Sequence, residues 1–480
     1  TVSSDTATGR YALQGTGAIQ PFSVLLGTLF PALEEQQIRT ALTFSATYQP
    51  RAERLRLYLA GQFGALGTAV LHGHIHHAAR APQYDLQGVL QNIDIGRLWQ
   101  TFVSGDTAVG PAILATTTVQ GQLDAVLRLR GPSTAPRLQG ALDLRQLHLR
   151  TPAVILEGAM LQMPLQLHLP LPQTPPQRIM PPADAYGRLH IDRIRFKGFT
   201  TPPLTTRLAM QDDTLVFPDP LTLPLLDGAL RLQQLTAQRL LRSSRQITLQ
   251  VQVQQLNLQR LQRSAAKLPL TGMVDGGFSR IDIRGDRLDS DGALTLRLAG
   301  GVVQLTDLRG SALFSSLPTL RCSLATTRPL SLRQLTDIYP IGGIGGTLHF
   351  RVADLTTTAW QPAAFQLTFF VQEQRGERRA ITLRALNNLL FTTGSAKVDA
   401  GQAYSLPYKR FGATISLRHD TLRLRGLYRD AAKREYFMMA PKLGGGVSII
   451  NRVPHNGISF RDFLQRLKAA VLEHPDVRVK

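Results

Sequence analysis

The chain has 480 residues, is 43% hydrophobic but only 6% aromatic, and carries a formal charge of +21 at pH 7. So much apolar content excludes a disordered chain, and the aliphatic bias argues against a surface built from aromatic stacking platforms. The basic surplus is made of eight lysines and 46 arginines spread along the chain, which reads as a solvated face with affinity for anionic headgroups rather than a nucleic-acid stripe.

The chain opens on Thr1 rather than Met, as a fragment or mature product would. Near the start, Leu25, Leu26, Leu29, Phe30 and Leu33 have helical spacing, so a short amphipathic helix is predicted near residues 22–39. The surrounding stretch Pro21 to Leu33 is too short to span a bilayer and is broken by Pro31. Period-two alternation then dominates and predicts half-buried strands, as in Arg54-Leu55-Arg56-Leu57 with Leu59, and in Leu127 and Leu129 between Arg128 and Arg130. Pro170 to Pro182 holds six prolines and cannot sit inside a sheet. It reads as a surface loop or linker and sets a boundary near residue 175.

Alternation resumes at Leu189 and Ile191 and is clearest where Ile247, Leu249, Val251 and Val253 interleave with Thr248, Gln250 and Gln252. Leu294, Leu296 and Leu298 obey the same rule, as do Ile415 and Leu417, then Leu422 and Leu424. A small phrase recurs at strand starts: Gln87-Gly88-Val89-Leu90, Gln139-Gly140-Ala141-Leu142, Asp227-Gly228-Ala229-Leu230 and Asp291-Gly292-Ala293-Leu294. Its spacing is loose, but it points to one structural idea used many times. Leu386, Leu389 and Leu390 suit a short helix. A clearer one is predicted at the C-terminus, with Ser459 as cap, Asp462 as the acidic partner of a capping box, and Phe460, Phe463, Leu464, Leu467 and Val471 on one face. This helix reads as a cap on the sheet or as a docking element for a partner or membrane surface.

Sequence clusters that could carry chemistry have plainer readings. His72, His74 and His76 share a strand face about 7 Å apart, but with only Asp85 near in sequence they read as a solvated histidine-rich strand rather than a zinc site. Asp282, Asp286, Asp289 and Asp291 lack calcium-loop spacing and read as turn chemistry. Gly342, Gly343, Gly345 and Gly346 have no Lys-Ser or Lys-Thr after them and read as a bulge or curvature point. Cys322 is the single cysteine, so no intramolecular disulfide can form. No nucleophile elbow appears. The chain is expected to be non-enzymatic, without cofactor or metal.

A sheet with one apolar face must cover it with a second layer or with ligand. One linker is too few for several sandwiches, so the predicted fold is mainly β: an elongated, curved antiparallel sheet forming an apolar groove, with few short helices and a C-terminal amphipathic helix. About 30 strands would reach on the order of 140 Å. Three segments are expected: 1–175 and 176–385 as groove, and 386–480 as a C-terminal region.

The stretch from Leu386 to Leu467 resembles the C-terminal region of the bacterial AsmA-like superfamily, which includes TamB-like and YdbH-like proteins. Its most specific part is Gly444-Gly445-Gly446-Val447-Ser448-Ile449-Ile450-Asn451-Arg452-Val453-Pro454, then Ile458-Ser459-Phe460-Arg461-Asp462-Phe463. Ile341 to Phe350, then Val352-Ala353-Asp354-Leu355, Pro362 and Phe365, are also similar, bringing the likeness to about a third of the chain. The resemblance implies a β-groove in the periplasm of the Gram-negative envelope, held in the inner membrane by an N-terminal anchor absent from this chain. It also implies movement of phospholipid between the membranes, beside an outer-membrane barrel or a small lipoprotein.

The expected function is therefore bridge-like lipid transfer, with phospholipid acyl chains lining up on Ile247, Leu249, Val251, Val253, Leu294, Leu296, Leu298, Ile415, Leu417, Leu422 and Leu424. Partner docking is expected through Phe460, Phe463, Leu464 and Leu467, and no nucleic acid is expected. Two rival readings are an envelope scaffold that helps outer-membrane proteins assemble, and a polyanion-binding protein.

Overall fold

The alternating segments do form strands, and nearly all of them join one sheet. The structure is a computed structural model and describes residues 2–5, 10–19, 40–102, 117–151, 154–170, 185–196, 199–239, 244–263, 271–313, 315, 317–338, 342–372, 378–392, 405–442, 445–452 and 457–472. Among these, 29 strands belong to a single open sheet, and a two-stranded satellite, Ala380–Thr382 with Ser405–Pro407, stands beside it. The predicted helix near 22–39 and most of the proline-rich stretch lie outside the described residues.

Each long strand pairs antiparallel with the next in the chain, from Arg10–Ile19 with Thr40–Gln49 to Arg410–Arg418 with Thr421–Gly426. The ladder also runs on past residue 175, because Val154–His168 pairs with Gly187–Phe196. Leu204–Gln211 then pairs antiparallel with that strand and touches Val154–His168 in parallel through Met210 and Leu165. The described strands hold few buried side chains, and Thr68–His76 holds none. Much of the described sheet lacks a second layer.

Four α-helices are described: α1 (Ile95–Phe102), α2 (Leu332–Ile338), α3 (Leu383–Thr392) and α4 (Phe460–Leu472). Each comes after a strand residue whose side-chain oxygen accepts the backbone N–H three residues on, the bond that satisfies a free donor of the first turn. Asp94 takes Arg97 N–H at 3.1 Å, Ser331 takes Gln334 at 3.3 Å, Thr382 takes Ala385 at 3.3 Å and Ser459 takes Asp462 at 3.4 Å. The flanking residues are apolar each time, as in Ile93-Asp94-Ile95 and Ile381-Thr382-Leu383. This second recurring phrase turns the chain out of the sheet, and in α2 and α3 it leads onto the buried cluster.

Strand directions show where these excursions occur. α1, α2, α3 and the 3-10 turn Leu258–Arg263 all leave from the same long edge of the sheet. The other edge is closed by short turns such as Gly285-Asp286, Ala359-Trp360 and His419-Asp420. Only α4 starts from that second edge, because Ser459 pairs with Thr421.

α3 supplies the one multilayer core found among the described residues. Leu386 and Ile381 are fully buried against Val371, Phe411 and Met438, with Leu332 of α2 alongside. The glycines at 342–346 serve this packing. A side chain on Gly342 would meet the Ala385 backbone, and Tyr408 donates its hydroxyl hydrogen to the Gly345 carbonyl. They are a close-approach loop, and the strand begins only at Thr347.

Candidate functional site

Residues directly opposite one another in an antiparallel ladder share a face, with Cβ atoms about 5 Å apart. Tracing these pairs from strand to strand shows what the apolar side of the sheet presents. Gly15 faces Phe44, then Leu59, Leu71, Gly88, Leu127, Gly140 and Leu165 in turn. Leu165 meets Met210, which leads to Leu215, Ala237 and Ile247. From Ile247 the line continues through Ile283, Leu288, Gly310 and Leu320. Sixteen strands are crossed without one polar side chain, a path on the order of 70 Å. It ends at Thr357.

A second line lies beside it in the C-terminal half. Leu223, Leu230, Val253, Gly276 and Leu294 are successive partners. Leu305, Leu324, Val352, Leu367, Ile415 and Leu424 complete it. Four residues expected to contact acyl chains, Val253, Leu294, Ile415 and Leu424, are thus joined in one row, and Ile247 belongs to the other. Leu249 and Val251 lie between the rows, opposite Ile281 and Phe278, and Leu296 and Leu298 lie opposite Val303 and Gly301.

This face is not equally covered along its length. Towards the N-terminus Leu13, Leu59 and Leu71 are 44%, 41% and 36% exposed although they lie on the apolar side. Ile247, Leu249, Val251, Leu294, Leu296, Leu298, Ile415 and Leu424 are half-buried. Leu417 and Leu422 are fully buried, at the end where Phe460 of α4 stands edge-on to Phe365 at 6.3 Å. α4 also packs on α3. Helices from the two edges therefore meet across the apolar face and close it at its C-terminal end.

Of the residues expected to dock a partner, Phe460, Phe463 and Leu464 are half-buried, and the side chain of Leu467 lies outside the described residues. Ser459 caps α4 by accepting Asp462 N–H, and its hydroxyl also donates to Asp420 of the adjoining turn at 3.2 Å. The phrase that carries the family resemblance builds the end of the sheet. Val447 and Ile449 pack on the buried cluster, and the Asn451 amide donates to Glu435 at 2.7 Å.

The opposite face is polar and laced with ion pairs. Asp85 accepts from Arg128 at 3.0 Å and Arg130 at 3.2 Å, which holds its carboxyl below the usual carboxylate range, the Arg128 hydrogen bond first among the causes. His74 sits on this face between Arg56 and Asp85. Its ring centroid is 6.2 Å from that of His76, and its pKa is lowered by burial, then by Arg54 and Arg56. No group of metal-ligating side chains is found among the described residues. Asp282 is not turn chemistry as expected: it is a buried strand residue accepting from Arg284 at 2.8 Å and Arg280 at 3.1 Å, and the turn is made by Gly285 and Asp286. Cys322 lies on the apolar face between Leu320 and Leu324, and burial pushes its thiol above the ordinary range.

Sequence reading missed the phrase glycines as lining residues. Gly88, Gly140, Gly228 and Gly292 all fall on the apolar side, opposite Leu127, Leu165, Leu225 and Phe278 respectively. A side chain on Gly140 would collide with the Val126 carbonyl of the neighbouring strand. Side-chain gaps on the inner face let the sheet bend towards itself. No family model, curated protein or solved structure matches this chain.

Proposed function

We propose that the apolar face is a trough that carries the acyl chains of phospholipids, the headgroups staying in water at the open side. The observation that supports this reading is the sixteen-strand line from Gly15 to Leu320, which offers aliphatic wall and no polar interruption. Exposing an acyl chain to water costs about 0.8 kcal/mol per CH₂, so a lipid with about 30 methylenes would face on the order of 20 kcal/mol or more. A continuous aliphatic surface removes most of that cost and needs no chemistry on the lipid. The partly exposed Leu13, Leu59 and Leu71 are the side chains such an occupant would cover.

The likeness of Leu386 to Leu467 to AsmA-like proteins supports the same assignment and adds a setting, the space between the two membranes of a Gram-negative envelope. No described helix is long and apolar enough to cross a membrane.

Photocrosslinking tests the face assignment directly. A photoreactive residue at Val251 or Leu296 should capture phospholipid in cells, and one at Gln252 or Thr295, on the other face, should not. Capture confined to Gln252 and Thr295 would overturn the proposal, as would mass spectra of the purified protein without lipid.

A further inference from the structure

The polar face changes character near the C-terminus. Further along the sheet carboxylates stand among the arginines of this face, as where Arg128 and Arg130 meet Asp85 and where Arg280 and Arg284 meet Asp282. In the strands Thr347–Thr358, Gln361–Gln372, Arg410–Arg418 and Thr421–Gly426 the one acidic residue is Asp354, already held by Arg321. Arg351, Arg418, Arg423 and Arg425 are exposed there and have no ion pair among the described residues. Arg351 is aligned with Thr368, Thr414 and Arg425 across four strands, so hydroxyl groups stand between the guanidinium groups.

The adjoining edge carries apolar tips. Trp360 is 69% exposed and Leu317 58%, the highest values among the large hydrophobic side chains described. They occupy neighbouring turns, tied together where Ala359 N–H donates to the Pro318 carbonyl at 2.9 Å. Indole and leucine side chains gain from leaving water, and tryptophan favours the headgroup level of a bilayer. Arginine forks match phosphate oxygens. A polyelectrolyte in water would use the arginines but offers nothing to Leu317.

We propose that this corner docks on the surface of an anionic phospholipid bilayer. Trp360 and Leu317 enter the headgroup region, and Arg351, Arg418 and Arg423 meet lipid phosphates. The site is on the polar face and its edge, so it stands whether or not the apolar trough carries lipid.

Vesicle co-sedimentation of the full chain tests it. Binding is expected to phosphatidylcholine vesicles containing about a third phosphatidylglycerol, and not to phosphatidylcholine alone. Replacing Arg351, Arg418 and Arg423 together with Gln should weaken partitioning about a hundredfold. The same loss of charge at Arg56, Arg137 and Arg188, exposed arginines far along the sheet, should weaken it much less. Trp360→Ser with Leu317→Ser should also weaken it. The chain has two tryptophans, so in a Trp99→Phe background the emission of Trp360 should shift to the blue on anionic vesicles. Equal losses from the two arginine triples, an unshifted Trp360, or binding to duplex DNA through these arginines with no binding to vesicles would each overturn the proposal.

Discussion

Gly292 lies directly opposite Phe278 in the ladder, with φ at +136° and no room for a side chain beside the Gly277 carbonyl. Phe278, buried itself, covers the gap. The arrangement lets an aromatic ring substitute for the missing packing of a strand glycine. Gly292→Ala should therefore destabilise the fold by about 1–3 kcal/mol, from the strained φ and the collision together. Urea titration should show this as a lower midpoint with an unchanged slope. A neutral outcome would mean that this part of the strand Arg287–Leu298 is not held in this conformation.

The contrast between the open face and the sealed end can be measured. Leu386→Ala empties a fully buried position and should cost about 2–5 kcal/mol. Leu294→Ala, at a half-buried position of the open row, should cost less than half as much in lipid-free protein. Similar losses at both sites would indicate that the central face is covered as completely as the cluster under α3.

Cys322 is a native reporter of the apolar face. Burial raises its thiol pKa, so at neutral pH it is protonated and should react slowly with maleimide, faster as pH rises. Addition of phospholipid should slow labelling further if acyl chains cover Leu320 and Leu324. Labelling at the same rate with and without lipid would count against occupancy at this point.

His74 makes acid sensitivity predictable in sign. Its folded pKa lies below the ordinary 6.5 because burial and then Arg54 and Arg56 disfavour the charged ring, with Asp85 opposing. Folding thus favours neutral His74. That contribution is complete above pH 6.5 and is lost as pH falls through the folded value. His74→Gln should flatten the fall in stability between neutral pH and about pH 5.5, read from urea midpoints at each pH.

The cap of α4 is testable separately. Ser459→Ala removes the acceptor for Asp462 N–H and the donor to Asp420, at a cost of about 0.5–2 kcal/mol. Proteolysis should then cut within 460–472 sooner than in the parent chain.

Alternation made the strands legible, since Ile247 to Val253 and Leu294 to Leu298 each show the two-residue period in a few positions. Ladder pairs join Ile247, Val253 and Leu294 to other apolar side chains, as that period implies. Three features escaped it. Helices α1 and α2 are only eight and seven residues long, too short for a helical period to stand out, and their signal was the capped phrase at Asp94 and Ser331. Bulges were invisible as well. Asn92, Gln146 and Gln255 take positive φ and reverse the facing of the residues after them, with no distinctive residue type to announce it. Nor did leucine content separate Leu417 and Leu422, which end up beneath protein, from Leu294, which does not. Coverage depends on helices that return from distant parts of the chain.

The uneven coverage also fixes an order of events under stress. A strand of the single-layer region is held chiefly by its two neighbours, as repeats are in a solenoid, whereas α3 ties Val371, Phe411 and Met438 into one unit. Loss of structure should start at the end near Leu13 and peel strand by strand, like a zip, until it reaches that unit. Amide protection should rise along the chain in the same direction. The described sheet carries its clamp under α3 and a single layer over most of its remaining length.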